Sequence, residues 1–398
     1  MLADRVVSLE PSPTLALAAK AKRLKSQGYD VCSLTVGEPD WDTFDAIKKS
    51  GIEAIEKGMT KYAPAEGLPE LRSAICQQTV LDLGVHYDPT QVTVSTGAKF
   101  IIYGALQCLI NPGDEVVIPA PYWVSYPTMV KLAGGVPVIA NCGIEESFKL
   151  TPEILSKSIS SRTKMLILNS PSNPTGAVYS REELQALAEV LNSHPHVLVL
   201  CDDIYNRLIF TEDTVAPHLL QVEPKFVDRV IVVNGVSKTY SMTGWRLGWA
   251  LGPEKIIKAM TNLQSQSVSC ASPFVQIAAV EALRSGSDAL PPYLKKLQLR
   301  RDFVYSALSK MEGVSVQKPE GAFYIWPDFR AICGRRYKGK TLENCADIAR
   351  VLLEEELVAV VPGAEFGSPG FLRLSFALNE DKLGKALMKI ETFLNCVE

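Results

Sequence analysis

The chain has 398 residues and a formal net charge of -3, from 41 basic and 44 acidic side chains. This length exceeds what one hydrophobic core usually serves, so we expect one large and one smaller domain. Because charges of both signs are spread without long blocks, there is no electrostatic reason to expect nucleic acid or an anionic membrane as a partner, and a small molecule is favoured.

The predicted elements begin with an N-terminal arm over residues 1–45, which contains a helical pattern at residues 15–27 and a strand-like run at residues 31–36. Between about residues 90 and 252, short apolar runs alternate with helical patterns, as in a parallel sheet with crossover helices. Several runs are apolar at consecutive positions, which is typical of strands buried on both faces. The predicted strands cover residues 92–95, 115–118, 136–139, 165–169, 197–201, 230–233 and 247–251.

The pattern changes after about residue 285. A charged helix is predicted over residues 294–311, a second helix near residues 344–356, a pair of strands at residues 358–361 and 371–376, and a closing helix at residues 380–393. We therefore predict an α/β fold with a large domain over residues 46–285, built on a mostly parallel seven-stranded sheet between helices. A smaller α+β domain covers residues 286–398, and the N-terminal arm joins this domain or an interface.

The nine cysteines and four histidines form no recognisable disulfide or metal pattern. The cysteines are odd in number and scattered, and the sequence contains neither a C-x-x-C pair nor an H-E-x-x-H motif. We expect no disulfide framework and no bound metal. Asp4 and Arg5 precede the first apolar run, and no stretch approaches the ~18 apolar residues of a membrane span. We expect a cytoplasmic protein, or an organellar one if a transit peptide has been removed.

Glycine and polar residues follow the predicted strands, at the edge where open parallel sheets bind ligands. In the turn at residues 96–99, Gly97 leaves backbone N–H groups bare at the start of a helix, which suits an anion, although such turns are common without any ligand. Asp202 follows the strand at residues 197–201, and a buried carboxylate there must be paired, cap a helix or serve a function. Asn173 lies after another strand, in a loop made rigid by two prolines and a glycine.

Lys238 follows the strand at residues 230–233. A lysine is ordinarily solvated along most of its length. Here, however, Ser237 and Arg246 are close in sequence and suited to a phosphate, and an amine at a strand end can be desolvated and made nucleophilic. These residue types together indicate a site for a phosphorylated ligand with a reactive amine.

Four ordered motifs carry a resemblance to a known family: SKTYSMTGWRLG from Ser237, NPTG from Asn173, DDIY from Asp202 and LRLS from Leu372. Over essentially its whole length the chain resembles the class I aminotransferases, which are fold-type I pyridoxal phosphate enzymes. Within that family it is similar to the prokaryotic-type aspartate aminotransferases, including those that also take prephenate. The resemblance implies a ping-pong transfer of amino groups between amino and 2-oxo acids.

The resemblance also implies roles for individual residues. Lys238 would carry the cofactor as a Schiff base and later move the proton at the substrate α-carbon. Asp202 would hold the protonated pyridine nitrogen, so that the ring can accept electrons. Tyr205 and Asn173 would bind the phenolic oxygen of the cofactor, and Trp123 would stack on its ring. Trp123 and Asn173 would also border the substrate.

Further roles follow from the same resemblance. Arg373, helped by the backbone at Gly37, would grip the substrate α-carboxylate by a two-pronged bond. Because this grip and the cofactor belong to different domains, closure on the substrate is expected. Tyr62 would reach the phosphate of a second subunit, which implies a homodimer with shared active sites. The phosphate would otherwise be held by Gly97, Ala98, Lys99, Ser237 and Arg246.

The substrate side chain is the least determined feature. Residues 264–271 offer no arginine for a distal carboxylate, whereas Lys99 and Thr14 match the residues that serve in the prokaryotic-type subgroup. We therefore favour a dicarboxylic substrate, aspartate or glutamate, with 2-oxoglutarate, oxaloacetate or prephenate as oxo acids. The alternative is that Lys99 is an ordinary exposed residue of a first helical turn. The sequence departs from the family pattern at Cys201, Asp203 and residues 206–207, and at residues 43–44, none of which has an implied catalytic role.

Other functions are compatible with the same motifs. The enzyme could transfer amino groups of aromatic or neutral amino acids, or be a related pyridoxal phosphate lyase that eliminates or cyclises at the β or γ carbon. A regulatory module that only holds the cofactor is a third reading, but the chain has no spare segment for a DNA-binding domain and a slightly negative charge.

Overall fold

The computed structural model describes residues 2–7, 9 and 13–398. The chain starts with helices α1 (Asp4–Val7) and α2 (Pro13–Ser26) and a short strand, β1 (Cys32–Ser33). Two further helices, α3 (Asp45–Glu56) and α4 (Pro69–Leu83), precede the main sheet. Among the described residues, no helix combines the length and the hydropathy that crossing a membrane requires.

A seven-stranded sheet forms the centre of the fold, as predicted. All seven predicted runs are strands, and their order in the sheet is β2-β8-β7-β6-β5-β3-β4. β8 runs antiparallel to both of its neighbours, while the other neighbouring pairs are parallel. The strands are β2 (Val92–Ser95), β3 (Glu115–Ala120), β4 (Val136–Asn141), β5 (Thr163–Asn169), β6 (Leu198–Asp202), β7 (Val230–Gly235) and β8 (Gly248–Leu251).

Helices cover both faces of this sheet, which explains the consecutive apolar residues of its strands. Along β5, Leu166 and Leu168 belong to one hydrophobic core, and Met165 and Ile167 belong to another. Successive side chains of a strand point to opposite faces, so a strand that is buried on both faces needs apolar residues throughout. The helices are α5 (Ala98–Leu109), α6 (Ser125–Leu132), α7 (Pro152–Ser158), α8 (Arg181–Asn192), α9 (Leu219–Val222), α10 (Glu254–Ser265) and α11 (Pro273–Ala289).

The C-terminal part combines helices with short strands. Its elements are α12 (Pro291–Leu308), β9 (Tyr324–Ile325), β10 (Arg336–Tyr337), β11 (Lys340–Thr341), α13 (Cys345–Glu355), β12 (Val358–Ala359), β13 (Val361–Pro362), β14 (Leu372–Ser375) and α14 (Glu380–Asn395). β13, β14 and β9 form an antiparallel sheet in that order. The single strand predicted at residues 358–361 is divided into β12 and β13, because the two halves pair with different strands.

The N-terminal arm is attached to these C-terminal strands. β1 pairs in parallel with β12, and the backbone N–H of Leu34 donates to Ala359 at 2.8 Å. The N–H of Ser375, at the end of β14, donates to the carbonyl oxygen of Leu34 at 2.8 Å. These bonds bring residues 35–37 between β14 and the carboxyl ends of the large sheet.

Candidate active site

A cavity of about 630 Å³ lies beyond the carboxyl ends of β5, β6 and β7. Residues from both ends of the sequence line it, since the arm at residues 35–37 and β14 close one side. Most of the site residues suggested by the sequence meet here: Gly37, Ala98, Lys99, Trp123, Asn173, Asp202, Tyr205, Ser237, Lys238, Arg246 and Arg373.

Lys238 presents its amine to the cavity. Its Nζ donates a hydrogen bond to the carbonyl oxygen of Gly37 at 2.6 Å and lies 6.0 Å from the centre of the Tyr205 ring. Burial lowers the pKa of Lys238 to about 8, and the positive charges of Arg246 and Arg373 act in the same direction. An amine with this pKa is neutral in about a tenth of the molecules at pH 7, far more than a solvated lysine. It is therefore suited to attack a carbonyl group.

Asp202 ends β6 and is only 4% exposed. Tyr126, on α6, donates a hydrogen bond from its hydroxyl to the Asp202 carboxylate at 2.6 Å. Burial raises the pKa of Asp202 to about 6, and the bond from Tyr126 opposes this effect. The carboxylate is thus ionised at neutral pH and can hold a cation inside the cavity. Tyr126 was not foreseen from the sequence, although it lies only three residues after Trp123.

Tyr205 lies beside a second tyrosine that the sequence analysis did not single out. The hydroxyls of Tyr205 and Tyr324 are 3.0 Å apart, and both side chains are buried. Tyr324 belongs to β9, and its sequence suggested no role for it. Its ring also lies under the guanidinium of Arg373, with 4.5 Å between the guanidinium carbon and the ring centre. Tyr324 therefore connects the Tyr205 side of the cavity with the Arg373 side.

Arg373, on β14, is a buried cation. It donates to the Asn173 side chain at 3.1 Å and to the Thr35 carbonyl oxygen at 3.0 Å. Its Nε has no hydrogen-bond partner, and no carboxylate in the described part of the chain forms an ion pair with it. Burial lowers the pKa of Arg373. Because an unpaired buried charge is costly, this arrangement is suited to a ligand carboxylate.

Another anion site lies at the start of α5. Gly97 precedes this helix with a φ of 96°, and no side chain of the described residues caps the helix. This φ strains any residue other than glycine, and a Cβ at Gly97 would lie 2.7 Å from a guanidinium nitrogen of Arg246, so the arginine would have to shift. Bare N–H groups, the helix dipole and a guanidinium together suit a phosphate. Ser237 is buried nearby in the cavity wall.

Lys99, in the first turn of α5, is directed into the cavity. Its Nζ lies 4.8 Å from the centre of the Trp123 ring, which stacks edge-to-face with Tyr126. Burial lowers the pKa of Lys99, and the charge of Arg246 lowers it further. Lys99 is exposed as a whole residue, but its amine borders the cavity, so both its proposed role and the alternative interpretation stay open.

Two further residues, Tyr62 and Thr14, were suggested as site residues by the sequence. Tyr62 is 93% exposed and does not line the cavity of its own chain, so its contact with a neighbouring subunit stays a prediction. The side chain of Thr14 lies outside the described residues. Glu38, by contrast, lines the cavity but was not foreseen, because nothing in its local sequence distinguishes it from an exposed acidic residue.

Curated proteins of known family resemble the chain over almost its whole length. It is 49% identical over 395 residues to the aspartate/prephenate aminotransferase of Cereibacter sphaeroides, and the match covers 98% of each chain. It is 46% identical to the probable aspartate/prephenate aminotransferase of Rickettsia felis, covering 98% of this chain and 96% of that one.

Solved structures of aspartate aminotransferases resemble the fold of this chain. The aspartate aminotransferase of Rhizobium meliloti superposes with a TM-score of 0.96 at 41% identity, covering 100% of both chains. That of Thermus thermophilus with maleate gives 0.92 at 39% identity, covering 99% of both. Residues 29–390 match the family model described as aminotransferase class I and II. The resemblance seen in the sequence is confirmed, and the chain belongs to this family of pyridoxal-phosphate-dependent aminotransferases.

Proposed function

We propose that this aminotransferase exchanges amino groups between L-aspartate or L-glutamate and the oxo acids 2-oxoglutarate or oxaloacetate, with prephenate as a further acceptor. One observation carries the proposal. A single cavity contains a largely desolvated amine, a buried carboxylate and two further cations, Arg373 and Lys99, that no carboxylate of the described residues neutralises. A substrate with two carboxylates would complete this charge distribution.

The residues of the cavity fit pyridoxal phosphate. Asp202 offers a buried negative charge to the ring nitrogen, and the α5 N-terminus with Arg246 offers a positive site to the phosphate. When bound, the cofactor supplies an aldehyde that carries the amino group and a ring that accepts an electron pair from the substrate α-carbon. Lys238 would hold the cofactor covalently and, once released, would move a proton to or from that carbon.

The other residues bind and orient. Tyr126 fixes the Asp202 carboxylate through its 2.6 Å hydrogen bond. Tyr205 and Asn173 line the cavity, and we propose that they would bind the phenolic oxygen of the cofactor. Arg373 binds the substrate α-carboxylate, which would replace its present bonds to neutral oxygen atoms with charge-assisted ones. Trp123, whose ring centre lies 4.8 Å from the Lys99 Nζ, would stack on the cofactor ring.

Lys99 is the proposed partner of the distal carboxylate, with Thr14 as the second contact. The position of its Nζ inside the cavity supports this role, and the names of the relatives, together with the maleate in the Thermus thermophilus structure, support a dicarboxylic ligand. The amine is partly desolvated, so pairing with a carboxylate would restore a stable charge.

Half-reactions with aspartate, glutamate, alanine and phenylalanine test this proposal. We expect Lys99→Ala to lower kcat/KM for the two dicarboxylic donors by about tenfold or more and to leave alanine nearly unchanged, because only one charge-assisted bond is lost. Lys131→Ala, which removes an exposed lysine outside the main cavity, serves as the control. An equal loss for all four donors would refute the role of Lys99. Release of ammonia without conversion of the cofactor to its amine form would indicate a lyase instead.

We also propose a cytoplasmic homodimer in which Tyr62 reaches the phosphate of the partner subunit. Ile52 and Ile55, on α3, are 57% and 50% exposed, and with the exposed Tyr62 they offer an apolar surface to a second copy. All nine cysteines are free, which suits a reducing compartment.

Subunit mixing tests the shared site. Tyr62→Ala and Lys238→Ala chains, each inactive alone, should regain about a quarter of wild-type activity when refolded together, because half of the dimers then contain one intact site. A mixture that stays inactive, although light scattering shows hybrid dimers, would refute the role of Tyr62.

A further inference from the structure

The segment at residues 37–43 is bound along its length to the loop that carries Lys238. These stretches are about two hundred positions apart in sequence but lie side by side beyond β7. Five hydrogen bonds join them: Lys238 Nζ to the Gly37 carbonyl, Thr243 Oγ1 to the Glu38 carboxylate, Ser241 Oγ to the Trp41 carbonyl, Thr43 Oγ1 to the Ser241 carbonyl and Trp245 Nε1 to Thr43 Oγ1. The position of this segment is therefore tied to that of the reactive lysine.

Glu38 is the acidic residue of this segment that lines the cavity. Its carboxylate accepts a hydrogen bond from the hydroxyl of Thr243 at 2.6 Å. No lysine, arginine or histidine among the described residues lies within ion-pair distance of it. The neutral hydroxyl of Thr243 thus orients the Glu38 carboxylate without neutralising it. The carboxylate can therefore interact with charged groups in the cavity.

Charges of both signs face the Lys238 amine. Arg246 and Arg373 disfavour its protonated form, whereas Glu38 and Asp202 favour it, and Glu38 has the largest effect of the four. The ring centre of Tyr205 lies 6.0 Å from Nζ, and the other titratable residues that line the cavity are Lys22, Lys25, Lys99, Tyr126 and Tyr324. Once the cofactor is bound, Asp202 is engaged by the ring nitrogen in the function proposed above. In that function the phosphate pairs with Arg246, so Glu38 is the carboxylate left to oppose the charge of Arg373 at the amine.

We propose that Glu38, held by Thr243, is a positioning residue that controls when the Lys238 amine can attack the cofactor. This proposal depends on the proposed role of Lys238. In the attack, the ammonium group first loses one proton to solvent, and its nitrogen then forms a double bond to the aldehyde carbon. The aldehyde oxygen leaves as water with the two remaining hydrogens of the amine. By favouring the ammonium form, Glu38 opposes this proton loss and lowers the fraction of neutral amine that can attack.

Capture of pyridoxal phosphate by the apoenzyme tests this role. The rate is followed by visible absorbance between pH 6 and 9 for the wild type, Glu38→Gln, Thr243→Val and Thr243→Ser. Glu212→Gln, which removes one exposed charge that does not line the cavity, is the control. After reduction with borohydride, peptide mass spectrometry identifies the lysine that carries the cofactor.

Because an interaction between partly exposed charges changes an equilibrium constant a few-fold, we expect Glu38→Gln to capture the cofactor about threefold faster at pH 7. The pH profile of the capture rate should move to lower pH for Glu38→Gln and for Thr243→Val. The profiles of Thr243→Ser and Glu212→Gln should match that of the wild type. A Glu38→Gln profile that coincides with the wild type, with the label on Lys238, would overturn this inference alone. A label on another lysine in the wild type would instead overturn the proposed function.

Discussion

Tyr126→Phe removes one hydroxyl from the site and leaves the buried ring in place. The lost hydrogen bond, 2.6 Å long and directed to a carboxylate, is of the class that contributes about 1.5–3 kcal/mol. The remaining donor to the Asp202 carboxylate, the N–H of Ile204, is 3.4 Å away and too long to compensate. The mutation should raise the pKa of Asp202 above its value of about 6, so that the proton shared with the cofactor ring nitrogen shifts towards the carboxylate. We expect kcat to fall about ten- to a hundredfold, with KM for aspartate nearly unchanged.

Single-turnover half-reactions with aspartate measure this loss. Tyr122→Phe is the matched control, because the Tyr122 hydroxyl does not line the Asp202 cavity. A cofactor methylated on the ring nitrogen gives the decisive comparison, since its positive charge is permanent and no proton can move to Asp202. With this cofactor the rates of wild type and Tyr126→Phe should differ by no more than about threefold. This difference is smaller than the loss of one hydrogen bond to a charged group would cause. If the full difference persisted, Tyr126 would act through packing, and the electrostatic reasoning would be wrong.

Three further changes test other parts of the site and its support. Arg373→Lys should raise KM for every amino donor by about tenfold or more, because one ammonium group cannot make the two-pronged bond; steady-state kinetics that show an unchanged KM would contradict this. Gly97→Ala should weaken cofactor binding by about tenfold or more in equilibrium dialysis, since the new methyl group would lie 2.7 Å from an arginine nitrogen. Gly104→Ala is the control in α5. The space around Gly104 is open, so this variant should bind the cofactor normally. Arg207→Met should lower the free energy of unfolding, measured in urea, by about 3 kcal/mol, because the largely buried Asp82 carboxylate loses its cation. A loss below about 1 kcal/mol would show that the Arg207–Asp82 ion pair contributes little to stability.

The central sheet could be predicted from the sequence because its strands are buried on both faces. Runs such as residues 165–169 are apolar at consecutive positions, and burial on two sides requires this pattern. The meeting of Asp202 and Lys238 could be predicted because Asp202 ends β6, Lys238 follows β7, and the carboxyl ends of these neighbouring parallel strands share one edge of the sheet. The short strands of the C-terminal part were harder, because a run of four residues contains too little periodicity to show that β12 and β13 have different partners.

The residues that the sequence did not reveal act through distant partners. Tyr126 contacts a carboxylate 76 positions away, and Tyr324 contacts a hydroxyl 119 positions away. Each tyrosine fits its own helix or strand as an ordinary core residue, so its local pattern carries no sign of the contact. Glu38 is similar, because its partner Thr243 is 205 positions away. Such roles depend on tertiary packing and appear only when the chain is folded.

The pairing of β1 with β12 joins Cys32 to Val358, near opposite ends of the chain. During synthesis, all seven strands of the large sheet have left the ribosome long before Val358 is made. We therefore expect a nascent or truncated chain that stops in α12 to present Lys238 and Asp202 while the wall that contains Arg373 is still missing. Such a product would capture the cofactor yet retain no amino acid, so substrate recognition is the last property that the growing polypeptide acquires.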